Sequence, residues 1–366
     1  MGPLNGIRVV EIAGIGPGPM AAMLLADLGA SVLRVDRPQA AETATVGGER
    51  PHMAAGRAIL GLDLKSEAGH TQAQRIIANA DVLLEGFRPG VMERLGLGPE
   101  PCHRDNPGLV YARMTGWGQQ GPLAERAGHD VNYIALTGAL HSFGRRDTAP
   151  VPPANLVGDF GGGGMLVVTG ILSALVERQT SGQGQVVDAA MVDGAALLLS
   201  MMHEDHNRGS WRDERGTNYL DTGAPWYDVY ECSDGGYVSV GAIEPQFYAA
   251  LLQGLGMAAE ELPDQWDEKR WPELRTRIAT VIASRSRDEW AEIFAGTDAC
   301  VQPVLTLAEA AEHPHLARRG TVRQDDGQLW AGPAPRFSRT PGATTRAPDY
   351  PEPSAEETLR AWGVNP

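Results

Sequence analysis

The sequence predicts an α/β protein, an open buried sheet followed by a smaller α+β domain, and three features carry that expectation. Short apolar runs lacking polar alternation recur through the first 190 residues, as in strands covered on both faces. Helical-period segments separate them, the pattern of parallel strands joined by crossovers. Beyond residue 206 the composition turns polar, and YDVYECSDGGYVSVGA reads as a hairpin with an Asp-Gly turn.

In chain order, residues 7–12 read as a buried strand, and Met20, Met23, Leu24 and Leu28 recur at helical spacing. Gly29 turns the chain into SVLRVD at 31–36, and DVLLEG at 81–86 and LVYARMTG at 109–116 continue the sheet. After GDFGGGG, residues 165–178 form a largely apolar helix, followed by an SGQG turn and the strand QVVDAAMVD. A helix is expected over 194–206, then the hairpin, then helices near 245–256, 270–283 and 286–295. Scattered Pro and Gly from about 322 favour an extended tail returning across the first domain. The expected divisions are a large domain at 1–190, a helical linker at 191–225, a small domain at 226–320 and a return at 321–366.

The formal charge of −15, from 46 acidic and 31 basic residues, argues against a general nucleic-acid surface while leaving room for a local basic pocket. Uninterrupted apolar runs fall short of the roughly 18–20 residues needed to span a bilayer, and no basic, hydrophobic leader opens the chain. The expectation is a cytoplasmic protein without a membrane span. Cys102, Cys232 and Cys300 form neither a close pair nor a zinc pattern. HEDH at 203–206 is not HExxH, HPH at 313–315 is no stronger, and no catalytic metal is expected.

The stretch VVEIAGIGPGP has nearly the parts of a dinucleotide loop, with Gly14 and Gly16 in place and Asp36 about 20 residues on, near where a ribose acid would stand. Pro19 occupies the third glycine position. Pro17 and Pro19 lack backbone N–H groups and so remove donors a pyrophosphate needs. A helix entry without a nicotinamide is the better reading. Arg37, Lys65, Arg88 and Arg94 fall near predicted strand ends, where together they suit an anionic ligand.

His129, Asp130 and Asp159 are ionisable groups set in otherwise apolar, glycine-rich stretches, AGHDVNYIALTG and NLVGDFGGGG. An imidazole and a carboxylate on opposite sides of a substrate carbon suit stereochemical inversion. One removes an α-proton, giving a planar enolate, and the other returns a proton to the opposite face. Backbone amides near the glycines would steady the enolate oxygen.

These motifs, with LGASVLRVDRP, LDLKS, DVLLEGFRPGVMERLGLGP, GQGQVVDAAMVDG and GGYVSVGAIEPQFY, resemble the class III coenzyme A transferase superfamily along nearly the whole chain. The similarity is greatest to its α-methylacyl-CoA racemase branch, including the mycobacterial racemases. The resemblance implies a Rossmann-type large domain that binds coenzyme A, carried as part of the substrate and not as a cofactor, and an interlocked obligate homodimer. It assigns the coenzyme to Arg37, Leu62, Asp63, Leu64, Lys65, Gly86, Phe87, Arg88 and Arg94, and to the loop Gly128, His129, Asp130, Val131, Asn132 and Tyr133. His129 and Asp159 become the two acid/base residues. Glu244 matches a residue that the other subunit supplies to orient the histidine. Asp130 matches the nucleophile of the transferases, which keeps a coenzyme A transfer reaction as the alternative. Ahead of LDLKS the stretch PHMAAGRAILG offers Arg57 alone where the family often has several basic residues. That implies a weaker hold on the adenosine phosphate. Met165, Leu166 and Val167 are candidate neighbours of the acyl tail.

Overall fold

The structure is a computed structural model that describes residues 2–46, 53–325, 327–347 and 350–365. Six strands, β1 (Arg8–Ile12), β2 (Ser31–Asp36), β3 (Ala58–Gly61), β4 (Val82–Glu85), β5 (Val110–Thr115) and β6 (Val186–Ala190), form one sheet in the order 3-2-1-4-5-6. Every pairing is parallel. The order reverses between β1 and β4, which opens a crevice at the carboxyl ends of the strands.

Alternate residues of the strands serve two cores. Val9, Val32, Val82, Leu84 and Ala112 face Leu25 of helix α1 (Pro17–Asp27). Val10, Leu33, Leu83 and Tyr111 face Ile76 and Ile77 of helix α2 (Glu67–Ala78), together with Leu359 and Trp362 near the end of the chain. Burial on both faces explains the near-continuous apolar strands.

A short helix, α3 (Asp130–Leu136), precedes a ten-residue π-helix, Leu156–Met165, which runs straight into α4 (Leu166–Ser181). Together the two make a 26-residue helix long and apolar enough, by length and composition, to cross a bilayer, a run that the count of uninterrupted apolar residues misses. Part of its apolar surface is used internally: Val167, Val168, Ile171, Ala174 and Leu175 lie in the sheet's core, while Leu156, Met165 and Val176 are exposed. The glycines of GDFGGGG let α5 (Met191–Leu198) approach the π-helix. A Cβ on Gly162 would stand 2.6 Å from the Ala195 nitrogen, and one on Gly194 would stand 1.8 Å from the Gly162 carbonyl oxygen.

The chain divides into two compact units, one of residues 1–138, 153–199 and 314–366, the other of 139–152 and 200–313. Four segments fall elsewhere than expected, among them 200–225, expected as a linker, which belongs to the smaller unit. Residues 191–199 stay with the large sheet because α5 packs on the π-helix, and 314–320 return with the tail. Residues 139–152 join the smaller unit, where Arg145 pairs with Asp228 at 2.7 Å.

In the smaller unit, β7 (Tyr227–Glu231), β8 (Tyr237–Gly241) and β9 (Val301–Pro303) form an antiparallel sheet. Helices α6 (Pro245–Gly254), α7 (Trp271–Ile282) and α8 (Arg287–Phe294) cover a core containing Trp226, Leu274 and Trp290. The tail is less extended than expected. Val322–Asp325 pairs with Gln328–Ala331, a helix spans Ala355–Ala361, and Thr345 and Arg346 bind the Asp27 carboxylate at the end of α1.

Candidate active site

A cleft of about 910 Å³ opens at the carboxyl ends of β1, β4 and β5, within the larger unit. The turn from Gly14 to Pro19 borders it after β1, Gly86 to Pro89 after β4, and Thr115 to Trp117 after β5. His129, Asn155 and Asp159 also border it. A neighbouring cleft of about 600 Å³ is lined by Leu62 to Lys65 among others, and the two clefts share Ile12, Ala13, Asp36, Arg37 and Phe87.

His129 stands exposed immediately before α3, with its backbone N–H donating to Asn132 Oδ1 at 3.0 Å. Tyr133 fixes the preceding backbone: its hydroxyl donates to the Gly128 carbonyl, and its ring meets Trp117 edge-on at 4.7 Å between centroids. Asp159 is half-buried in the π-helix, a winding often found at functional sites. Asn155, four residues earlier, donates from Nδ2 to Asp159 Oδ2 at 3.2 Å. From the opposite side comes Gly16, at φ 68°, where a Cβ would lie 3.2 Å from the same oxygen. Burial raises the Asp159 carboxyl above its ordinary value; the Asn155 bond opposes the rise, the Asp130 charge adds to it and His129 opposes it.

Asp130 takes a different position. It is 5 % exposed and lines neither cleft; its Oδ2 accepts the Asp159 backbone N–H at 2.7 Å. That bond ties the Asp130 side chain to the backbone of the π-helix at Asp159.

A family model, CoA-transferase family III, matches residues 4–355. The chain belongs to that family. It is 49% identical over 365 residues to the alpha-methylacyl-CoA racemase of Mus musculus and 45% identical to that of Homo sapiens, covering 99% of this chain and 94% of each relative. Among solved structures, a CAIB/BAIF family protein from Brucella suis matches with a TM-score of 0.80 at 27% identity, over 98% of both chains.

Within this family III chain, most of the residues expected to hold coenzyme A gather at the two clefts. Arg37, Gly86, Phe87, Arg88, Gly128, His129 and Tyr133 line the first; Leu62, Asp63, Leu64 and Lys65 line the second. Arg94, Val131 and Asn132 line neither. Arg57 is no phosphate ligand here: it is fully buried, with Nη1 on Glu11 Oε2 at 2.6 Å. Pro51 and His52, which open the stretch before LDLKS, lie outside the described residues. Val167 belongs to the core, whereas Met165 is exposed and Met191 borders the first cleft. Glu244 lies in the smaller unit, exposed ahead of α6, and its side chain makes no capping bond.

The dinucleotide reading fails for a visible reason. Asp36, its ribose acid, is occupied by Arg34 through Nε at 3.2 Å and Nη2 at 3.1 Å, and by the Arg37 backbone N–H at 2.8 Å. Sequence reasoning missed Asn155, although its i−4 spacing from Asp159 was a usable signal. It also missed Arg126, a further cation on the first cleft. Among the described residues no three His, Cys, Asp or Glu side chains cluster as metal ligands.

Proposed function

We propose that the chain is a racemase that interconverts R- and S-2-methylacyl-CoA thioesters by 1,1-proton transfer through an enolate. The observation that carries this reading is the presence of His129 and Asp159 on one cleft, with Asp159 shifted toward higher proton affinity. A carboxylate of ordinary basicity is a weak partner for an α-proton, and burial improves the match. His129 exchanges the proton on the S side and Asp159 on the R side. The adenosine end is assigned to the cleft of Leu62–Lys65, with Arg37 and Arg88 toward the phosphates and the thioester near His129. Two relatives named as racemases at high identity support the assignment.

The transferase reading needs Asp130 as a nucleophile open to the thioester. Its burial and its bond to the Asp159 amide favour a structural role instead. A homodimer belongs to the proposal: Leu136, Leu156, Leu197 and Leu198 are each more than half exposed on the larger unit, apolar surface that a second copy would cover. Glu244 of the partner subunit would then orient His129.

The test is exchange of the α-hydrogen with deuterated solvent, starting from each epimer, with and without free carboxylic acids. Both epimers should exchange and converge on a mixture without any second acid. Asp159→Asn should lower turnover by at least about a hundredfold with coenzyme A affinity retained. Conversion that depends on an added acid would instead establish transfer.

A further inference from the structure

We propose that Glu11, Arg34 and Arg57 form a buried positioning cluster that sets the Gly14–Pro19 turn against Asp159 and so aims its carboxylate. The proposal rests on the reading of Asp159 as a proton-exchanging base. Glu11, on β1 and 1 % exposed, gives one oxygen to each arginine: Oε1 accepts Arg34 Nη1 at 2.6 Å, and Oε2 accepts Arg57 Nη1 at 2.6 Å. The same guanidiniums reach carbonyls at both ends of the turn. Arg34 Nη2 lies 3.5 Å from the Gly14 oxygen, and Arg57 Nη1 lies 3.2 Å from that of Pro19. Between these two anchors sits Gly16, where an added Cβ would stand 3.2 Å from Asp159 Oδ2, so that the turn and the carboxylate leave no room for a side chain between them.

The chemistry suits the task. Pro17 and Pro19 have no N–H, so the turn offers carbonyls as handles, and only donors can grip them. Three buried charged side chains carry a desolvation cost that an apolar trio would avoid. What they supply in return is direction: charge-assisted bonds in a fixed fork, tied to β1 through a single carboxylate. Glu11 and Arg57 line neither cleft, whereas Arg34 borders the first, so E11Q alters the cluster at a residue outside the cleft lining.

The experiment compares Glu11→Gln, Gly16→Ala and Asp159→Asn in the full-length protein. Readouts are thermal unfolding, coenzyme A affinity by calorimetry, and α-deuterium exchange of each epimer with its stereochemical outcome. In E11Q the R-epimer should lose at least about tenfold in exchange rate, since small misplacements of a reacting group are costly. The S-epimer should keep exchanging through His129, now with retention of configuration, and coenzyme A affinity should change by less than about threefold. G16A disturbs the same contact without touching a buried charge, and should give the same epimer-selective loss; it decides the matter if E11Q does not fold. Equal loss for both epimers, unchanged exchange of the R-epimer, or weakened coenzyme A binding with intact turnover would each overturn the proposal. If D159N itself retains R-side exchange, the assignment of the base is what fails. If D159N loses it while E11Q and G16A do not, only the cluster's role fails.

Discussion

Glu85 ends β4 beneath the first cleft, 3 % exposed, with Oε2 accepting the Phe87 N–H at 2.7 Å and Oε1 lying 3.4 Å from Arg113 Nε. Burial pushes its carboxyl up to about 7; the Phe87 amide and Arg113 oppose the rise, while Glu93 and Asp188 add to it. Because the folded value exceeds the unfolded one, its contribution to stability is complete below about pH 4.5 and is lost as pH rises through about 7. Glu85→Gln keeps an acceptor for Phe87 and removes the titration. Melting both proteins at pH 5 and pH 8 should show E85Q gaining on the unsubstituted chain as pH rises, by on the order of 3 kcal/mol. A difference independent of pH would contradict the buried, proton-binding carboxyl. At this scale the sequence exposes chemistry better than position. His129 and Asp159 stand out as ionisable groups among glycines, but Asp130 looks equally available. Its burial depends on a bond to an amide 29 positions away. Arg57 likewise reads as a free cation until the fold places Glu11 beside it.

Most strands of the large sheet and the hairpin were legible; the helix Glu67–Ala78, with a polar composition around its apolar stripe, was not. The strands at 8–12, 31–36, 82–85 and 110–115 and the hairpin of β7 and β8 fall where apolar runs and the Asp-Gly turn indicate. β4, of four residues, shows as the apolar run VLL, whereas β3, of the same length, ends on a glycine inside GRAILGLDL, and β9 has three residues and ends on a proline. The glycine run reads as a loop leading into a helix; in the structure it is itself a π-helix, and its missing side chains leave the room that α5 occupies. Gly194→Ala would press a methyl onto the Gly162 carbonyl, and overpacking of this kind costs about 1–3 kcal/mol. Urea unfolding should report a loss in that range or larger; a midpoint unchanged from the unsubstituted chain would mean that the helices separate more easily than this packing implies.

For the whole molecule, the proposed dimer makes a prediction that no single chain can meet. Co-expressing His129→Ala and Glu244→Ala chains, each impaired alone, gives mixed dimers in which one site has both residues intact if Glu244 acts across subunits. Activity should then recover to roughly a quarter of the unsubstituted level; no recovery would place Glu244 in the same chain's site. The change in composition near residue 206 carries no sign that 139–152 belongs with 200–313, because short segments owe their partners to distant residues such as Asp228. One consequence concerns synthesis. Helix α1 carries the Gly14–Pro19 turn at one end, and at the other its Asp27 is gripped by Thr345 and Arg346, more than three hundred positions later. On the ribosome, more than three hundred further residues must be made after α1 before that grip can form, so the nascent helix waits for its far anchor long after its own residues have been joined.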